Sequence, residues 1–202
     1  MGLDVTAYSK LELDKSVTFD MDGEPSNIGD DWWDTHAYIR PDGHFHERAD
    51  GLERGYYRYA NKAGWRAGSY GGYNRWREWL AKLAGYPLTD FDPGDGRAPD
   101  KSHAAATWGS DGVTGPFSEL INFSDAEGVI GPQTSAKLAR DFAEWDERAR
   151  ADCFNWQSGS TETMDFNLET ERFPGARDNY SLYRKWRSGF ELAANGGAVD
   201  FH

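Results

Sequence analysis

The stretch from Arg66 to Arg75 holds the densest set of side chains in the chain suited to gripping an anion. Arg66, Ser69, Tyr70, Tyr73, Asn74 and Arg75 surround Gly71-Gly72, just where an apolar helical stripe begins. A helix N-terminus presents unpaired backbone N–H groups and the positive end of its dipole, which favours a negative ligand. The glycines allow close backbone approach, the arginines offer charge-assisted donors, and Tyr70 and Tyr73 can stack on a ring. A purely structural reading competes. Ser69 caps the helix, the tyrosines join the core, and the arginines pair with Glu53, Glu78 or nearby aspartates. Tyr73 stands in both readings, because it also opens the apolar stripe.

Two more carboxylates extend the candidate ligand set. Asp125 and Glu127 lie in Ser124-Asp125-Ala126-Glu127-Gly128 after an apolar run, where they can hold a cation, cap the next turn or pair with Arg66. His36, His44 and His46, with Asp34, Asp42 and Glu47 nearby, form the one metal-like cluster. His-x-His on a strand sets both rings on one face, where they can share a zinc or nickel ion. The alternative is a solvated turn after Pro41-Asp42-Gly43. Val17 to Pro25 invites comparison with the first motif of the haloacid-dehalogenase phosphatases, a strand ending in Asp-x-Asp-Gly-Thr. Here Glu24 replaces the threonine and no βαβ alternation follows, so Asp20 to Asp22 reads as an acidic turn. There is no Gly-x-Ser-x-Gly elbow, and Gly71-Gly72 is too short for a phosphate or dinucleotide loop. No catalytic residue and no cofactor is expected.

The elements that must position these residues follow from periodicity. Leu3, Val5 and Ala7 alternate with Asp4, Thr6 and Tyr8, as in a half-buried strand. Val17, Phe19 and Met21 suggest a second strand, and His36 to Arg40 a third. Tyr56-Tyr57-Arg58-Tyr59 and Trp65-Arg66-Ala67 read as hairpin arms around an Asn61–Gly64 loop. Tyr73, Trp76, Leu80 and Leu83 mark a helix near 71–84, closed by Gly85 in the left-handed position. Residues 87–116 are rich in Pro, Gly and Asp without sustained period, which predicts a surface insertion or lid. Residues 117–123 read as a buried strand. Helices follow near 132–150, with Pro132 at its permitted first position, and near 179–195. Ala198 to Phe201 reads as a short edge strand. The sum is one α+β domain over 1–202, an antiparallel-dominated or mixed sheet from the N-terminal half packed by about three main helices.

Composition narrows the function classes. The chain has 202 residues, enough for a core, yet its mean hydropathy is −0.80, so large rings must supply the buried apolar mass. Nine Trp residues fit that need. A net charge of −12 argues against nucleic-acid binding, which needs a basic face. Cys153 stands alone, excluding an internal disulfide framework. No stretch approaches a membrane span and the first residues lack a basic start before an apolar run, so a cytoplasmic location is expected. Exposed Trp residues would favour a homo-oligomer.

Several segments taken together carry a resemblance. They are Met1-Gly2-Leu3-Asp4 with Ala7-Tyr8, the Arg66–Arg77 corner, Phe117 to Gly128 running into Ile130-Gly131-Pro132, Trp186 to Ala194, and Phe201-His202. The chain resembles, outside 87–116, an uncharacterised family of phage, prophage and bacterial proteins with no established activity. A cysteine often stands in that family where this chain has Ala126, which weakens any thiol mechanism here. The resemblance implies a protein that binds a host factor or sequesters a nucleotide signal. The expected function is therefore non-enzymatic binding of a small anionic, nucleotide-like ligand in the host cytoplasm. Two alternatives stay open: a metal-dependent hydrolase, and an acidic inhibitor of a host protein.

Overall fold

A computed structural model describes residues 2–22, 24–29, 31–43, 45–94, 96, 98–108, 114–154 and 174–202, the side chains of 154 and 174–178 excepted. Strand β1 (Gly2–Ser9) is the axis of the architecture. Leu3, Val5 and Ala7 are buried on one face, as the alternation predicts, while Asp4, Thr6 and Tyr8 face the other way. The strands β5 (Asn61–Ser69), β1, β9 (Ala198–Phe201) and β8 (Gly128–Ile130) form an antiparallel sheet in that order.

Helices cover the Leu3 face of this sheet. They are α1 (Tyr70–Leu83), the single turn α2 (Ser118–Ile121), α3 (Pro132–Glu144), α4 (Asp146–Phe154) and α5 (Pro174–Ala193). Large rings fill the space between helices and sheet, as the polar composition requires. The Trp186 ring stacks against Tyr73 at 5.6 Å, Trp76 at 5.9 Å and Phe190 at 5.6 Å. Each such ring removes roughly 150–250 Å² from water, and offset stacking adds to that burial.

A second antiparallel sheet covers the opposite face. Its strands β2 (Glu12–Leu13), β4 (Gly55–Arg58) and β3 (His36–Ile39) run in the order β2-β4-β3. Ala37, Ile39 and Tyr57 from these strands pack with Val129 and Ala198 from the first sheet. The layers are thus helices, four-stranded sheet, three-stranded sheet.

Several elements differ from the sequence reading, each for a physical reason. Asn61–Gly64 is strand, not a hairpin loop: β5 pairs with β1 while β4 joins the other sheet, so the chain changes layer at Tyr59-Ala60. Residues 117–123 contain a helical turn instead of a strand. Phe117, Leu120 and Ile121 are buried at i, i+3 and i+4, a spacing that a short apolar run leaves ambiguous. Strand β9 is internal, between β1 and β8, not at an edge. Phe19 and Met21 are exposed, and Phe19 joins Pro25 only by an isolated bridge. The 132–150 helix divides at Trp145 into α3 and α4.

Part of segment 87–116 is docked. Strands β6 (Thr89–Phe91) and β7 (Asp100–Ser102) form a ribbon, and the following turn is pinned to α1. The Glu78 carboxylate accepts hydrogen bonds from the Ser102 hydroxyl and from the backbone N–H groups of His103 and Ala104.

Candidate functional site

At the start of α1 the side chains divide between scaffold and solvent. Ser69 is the N-cap, and its Oγ accepts the Gly72 N–H at 3.1 Å, so the hydroxyl serves the helix. Tyr73 is fully buried in the ring stack, and burial pushes its phenol well above the ordinary range. Tyr70 is partly exposed, and Arg66 and Arg75 are exposed. Neither arginine forms an ion pair among the described residues. Arg66 lies along Gly2, where a Cβ would strike the guanidinium.

Asn74 and Asp125 do meet. Asn74 Nδ2 donates to Asp125 Oδ2 at 2.8 Å, and Asn74 Oδ1 accepts from Arg77. Arg77, which the sequence reading left unassigned, is buried and lies 4.7 Å from the centre of the Tyr73 ring. It donates to the backbone carbonyls of Ile121 (3.2 Å) and Phe123, and it stands 3.9 Å from Asp125. A buried guanidinium is tolerated because its donors find carbonyl and carboxylate partners. Asp125 thus ties the 123–128 turn to α1. Glu127 points elsewhere: the Ser124 hydroxyl accepts the N–H groups of Ala126 and Glu127, and the Glu127 side chain faces a cleft.

The histidines do not converge. His36 on β3 is buried, with Nδ1 2.9 Å from Thr35 Oγ1 and Nε2 3.2 Å from Asp14 Oδ2, so both ring nitrogens are engaged by the protein. The Ser16 hydroxyl and N–H, then His36 and Arg58, hold the Asp14 carboxyl well below the usual carboxylate range. His46 is exposed beside Glu47, and His44 lies outside the described residues. Among the described residues no three His, Cys, Asp or Glu side chains are placed to share a metal ion. Asp20 accepts the N–H groups of Asp22 and Glu24, a local turn in keeping with the acidic-turn reading. Cys153 is buried, and burial lifts its thiol to about 12, far from a thiolate nucleophile.

The cleft lies where the two sheets meet, between the turn after β3 and the turn before β8. A cavity of about 220 Å³ is walled by Pro41, Phe45, Phe123 and Val129, with Asp42 and Glu127 at its polar side. A second, of about 140 Å³, is lined by Arg40, Asp42, Arg54, Glu127 and Asp200. Asp42, Glu127 and Gly128 belong to both, so the two adjoin. Gly128 has φ +139°, and a Cβ there would approach the Phe123 ring to 3.0 Å, which ties the wall to glycine.

Charge in the cleft is mixed. Arg54 Nε donates to Asp42 Oδ2 at 2.6 Å. Arg40 is exposed and makes no ion pair among the described residues, yet its charge acts on Asp200. Burial pushes the Asp200 carboxyl up to about 7, with Arg40 opposing the shift. Near neutrality Asp200 can therefore donate or accept a hydrogen bond. Its position in Ala198-Val199-Asp200-Phe201, a carboxylate inside an apolar strand, was the signal that could have marked it in the sequence. Arg40 and Arg54 carried no comparable signal.

Comparison with protein-family models, curated proteins and solved structures finds no match. Among the described residues no helix is long and apolar enough to cross a membrane.

Proposed function

We propose that the protein is a non-enzymatic binding protein for a small, nucleotide-like anion, and that the ligand occupies the cleft between the two sheets. One observation carries this reading: an aromatic-walled cavity adjoins a charged one across shared residues. The Phe45 and Phe123 side suits a planar ring, and Arg40 suits a phosphate or carboxylate. Glu127 and a partly protonated Asp200 suit the hydrogen-bonding edge of a base. Taken with the resemblance to phage proteins, the corresponding role is sequestration of a nucleotide signal as a counter-defence.

Relative to the sequence expectation, the ligand class stays and the place moves. Ser69 caps α1, Tyr73 is core, Asn74 with Asp125 braces a turn, and Arg66, Tyr70 and Arg75 stay exposed at the start of α1 outside the cleft, so Glu127 is the residue the two candidate sites share. Calorimetry against nucleoside mono-, di- and triphosphates and cyclic dinucleotides tests the reading. Heat with at least one of them, weakened about tenfold or more by Arg40→Ala or Glu127→Ala, is expected. Weakening by Arg75→Ala instead would return the ligand to the start of α1. No heat with any of these compounds would sink the proposal.

A further inference from the structure

The outer edge of β5 faces no strand among the described residues, since its ladder is with β1 alone. From Asn61 to Ala67 the extended backbone thus leaves outward N–H and C=O groups without a strand partner among the described residues, at every second position along that edge. Beside this edge runs α5, and between them lies a groove of about 470 Å³. Its strand side is formed by Ala63, Gly64 and Trp65. At Gly189 the Trp65 ring packs so closely against α5 that a Cβ has no room. The helix wall is polar: Ser181, Arg184, Lys185 and Ser188 recur at i, i+3, i+4 and i+7, on one face. Tyr183, Trp186 and Phe190 of the same helix are turned into the core.

Lys185 is exposed and makes no ion pair among the described residues. In a chain of net charge −12, Lys185 sets a positive charge on the groove, and charge complementarity selects an acidic occupant. We propose that this groove captures an extended acidic segment of a partner protein, which adds to the sheet as a strand along β5. The partner's backbone supplies the ladder, and its carboxylates meet Lys185. The sheet order β5-β1-β9-β8 sets this edge opposite β8 and the cleft, so the two proposals stand or fail separately.

A displayed library of random octapeptides, panned on the full chain, tests the inference. The expected result is enrichment of acidic peptides with alternating apolar residues, with slowed amide exchange across Asn61–Ser69 on binding. Lys185→Glu should weaken an enriched peptide about tenfold or more while circular dichroism reports an intact fold. N-methylation of alternate peptide amides should abolish binding, because it removes the ladder donors. No enrichment above that seen with Lys185→Glu, or binding without slowed exchange in β5, overturns the proposal. A concentration-dependent dimer with the same amides protected also overturns it, since the edge then belongs to a second copy.

Discussion

The guanidinium of Arg77 donates to the backbone carbonyl of Phe123, joining α1 to the turn that presents Glu127 to the cleft. The same group reaches the Ile121 carbonyl and Asn74, so a single buried cation satisfies acceptors from two segments.

Replacing Arg77 with Met keeps much of the buried stem and orphans those carbonyls. Hydrogen bonds from charged donors contribute about 1.5–3 kcal/mol each, and buried unsatisfied acceptors carry their own cost. Arg77→Met should lower stability by roughly 3 kcal/mol in urea unfolding. It should also weaken any ligand heat that depends on Glu127, although Arg77 lies outside the cleft.

Asp200 gives a pH dependence with a defined sign. Its carboxyl titrates at about 7 in the folded protein, against an ordinary value of 3.8. The folded state therefore holds the proton more tightly than the unfolded chain. The group's contribution to stability is complete below about pH 4 and is lost as pH rises through 7, for a change of at most roughly 4 kcal/mol. Asp200→Asn removes that titration. The stability of the wild type relative to Asp200→Asn should fall steadily between pH 4 and 7.5, as measured by urea midpoints in matched buffers. A flat difference would show that Asp200 is hydrated in the folded state.

Tyr73 separates scaffold from site. Its hydroxyl is buried without a hydrogen-bond partner among the described residues. Tyr73→Phe keeps the stack on Trp186 and removes the unsatisfied group, so thermal unfolding should show a gain of about 1 kcal/mol. Ligand heats should be unchanged.

Glu78 should govern how firmly the 87–116 segment is held. Its carboxylate takes three hydrogen bonds from Ser102, His103 and Ala104. Glu78→Ala leaves two backbone donors without their acceptor and should cost about 2 kcal/mol. Limited proteolysis should then cut within 87–116 sooner than in the wild type, and Glu78→Gln should restore part of the resistance.

Much of the candidate cleft escaped the sequence because its parts come from distant positions. Glu127 was legible as a carboxylate on a Gly-flanked turn. Arg40, Arg54 and Asp200, which line the charged cavity with it, lie on three other segments, and the pairing of β8 with β9 and the packing of the second sheet bring them together. At the α1 corner Ser69 serves as a cap, Tyr73 joins the core stack and Asn74 braces a turn, while Arg66, Tyr70 and Arg75 stay exposed.

By itself the sequence determined which faces are buried. The alternation of Leu3, Val5 and Ala7, the stripe from Tyr73 to Leu83, Gly85 at φ +83° and Pro132 opening α3 all report local geometry that side-chain periodicity and backbone preference encode directly. Tertiary structure decided partnership. Asn61–Gly64 became strand because β1 offered it a ladder, and Ala198–Phe201 became an inner strand because β8 closed on its other side. Strand pairing is a contact between residues far apart in the chain, so no local period announces it. The cleft and the open edge of β5 are both consequences of that order.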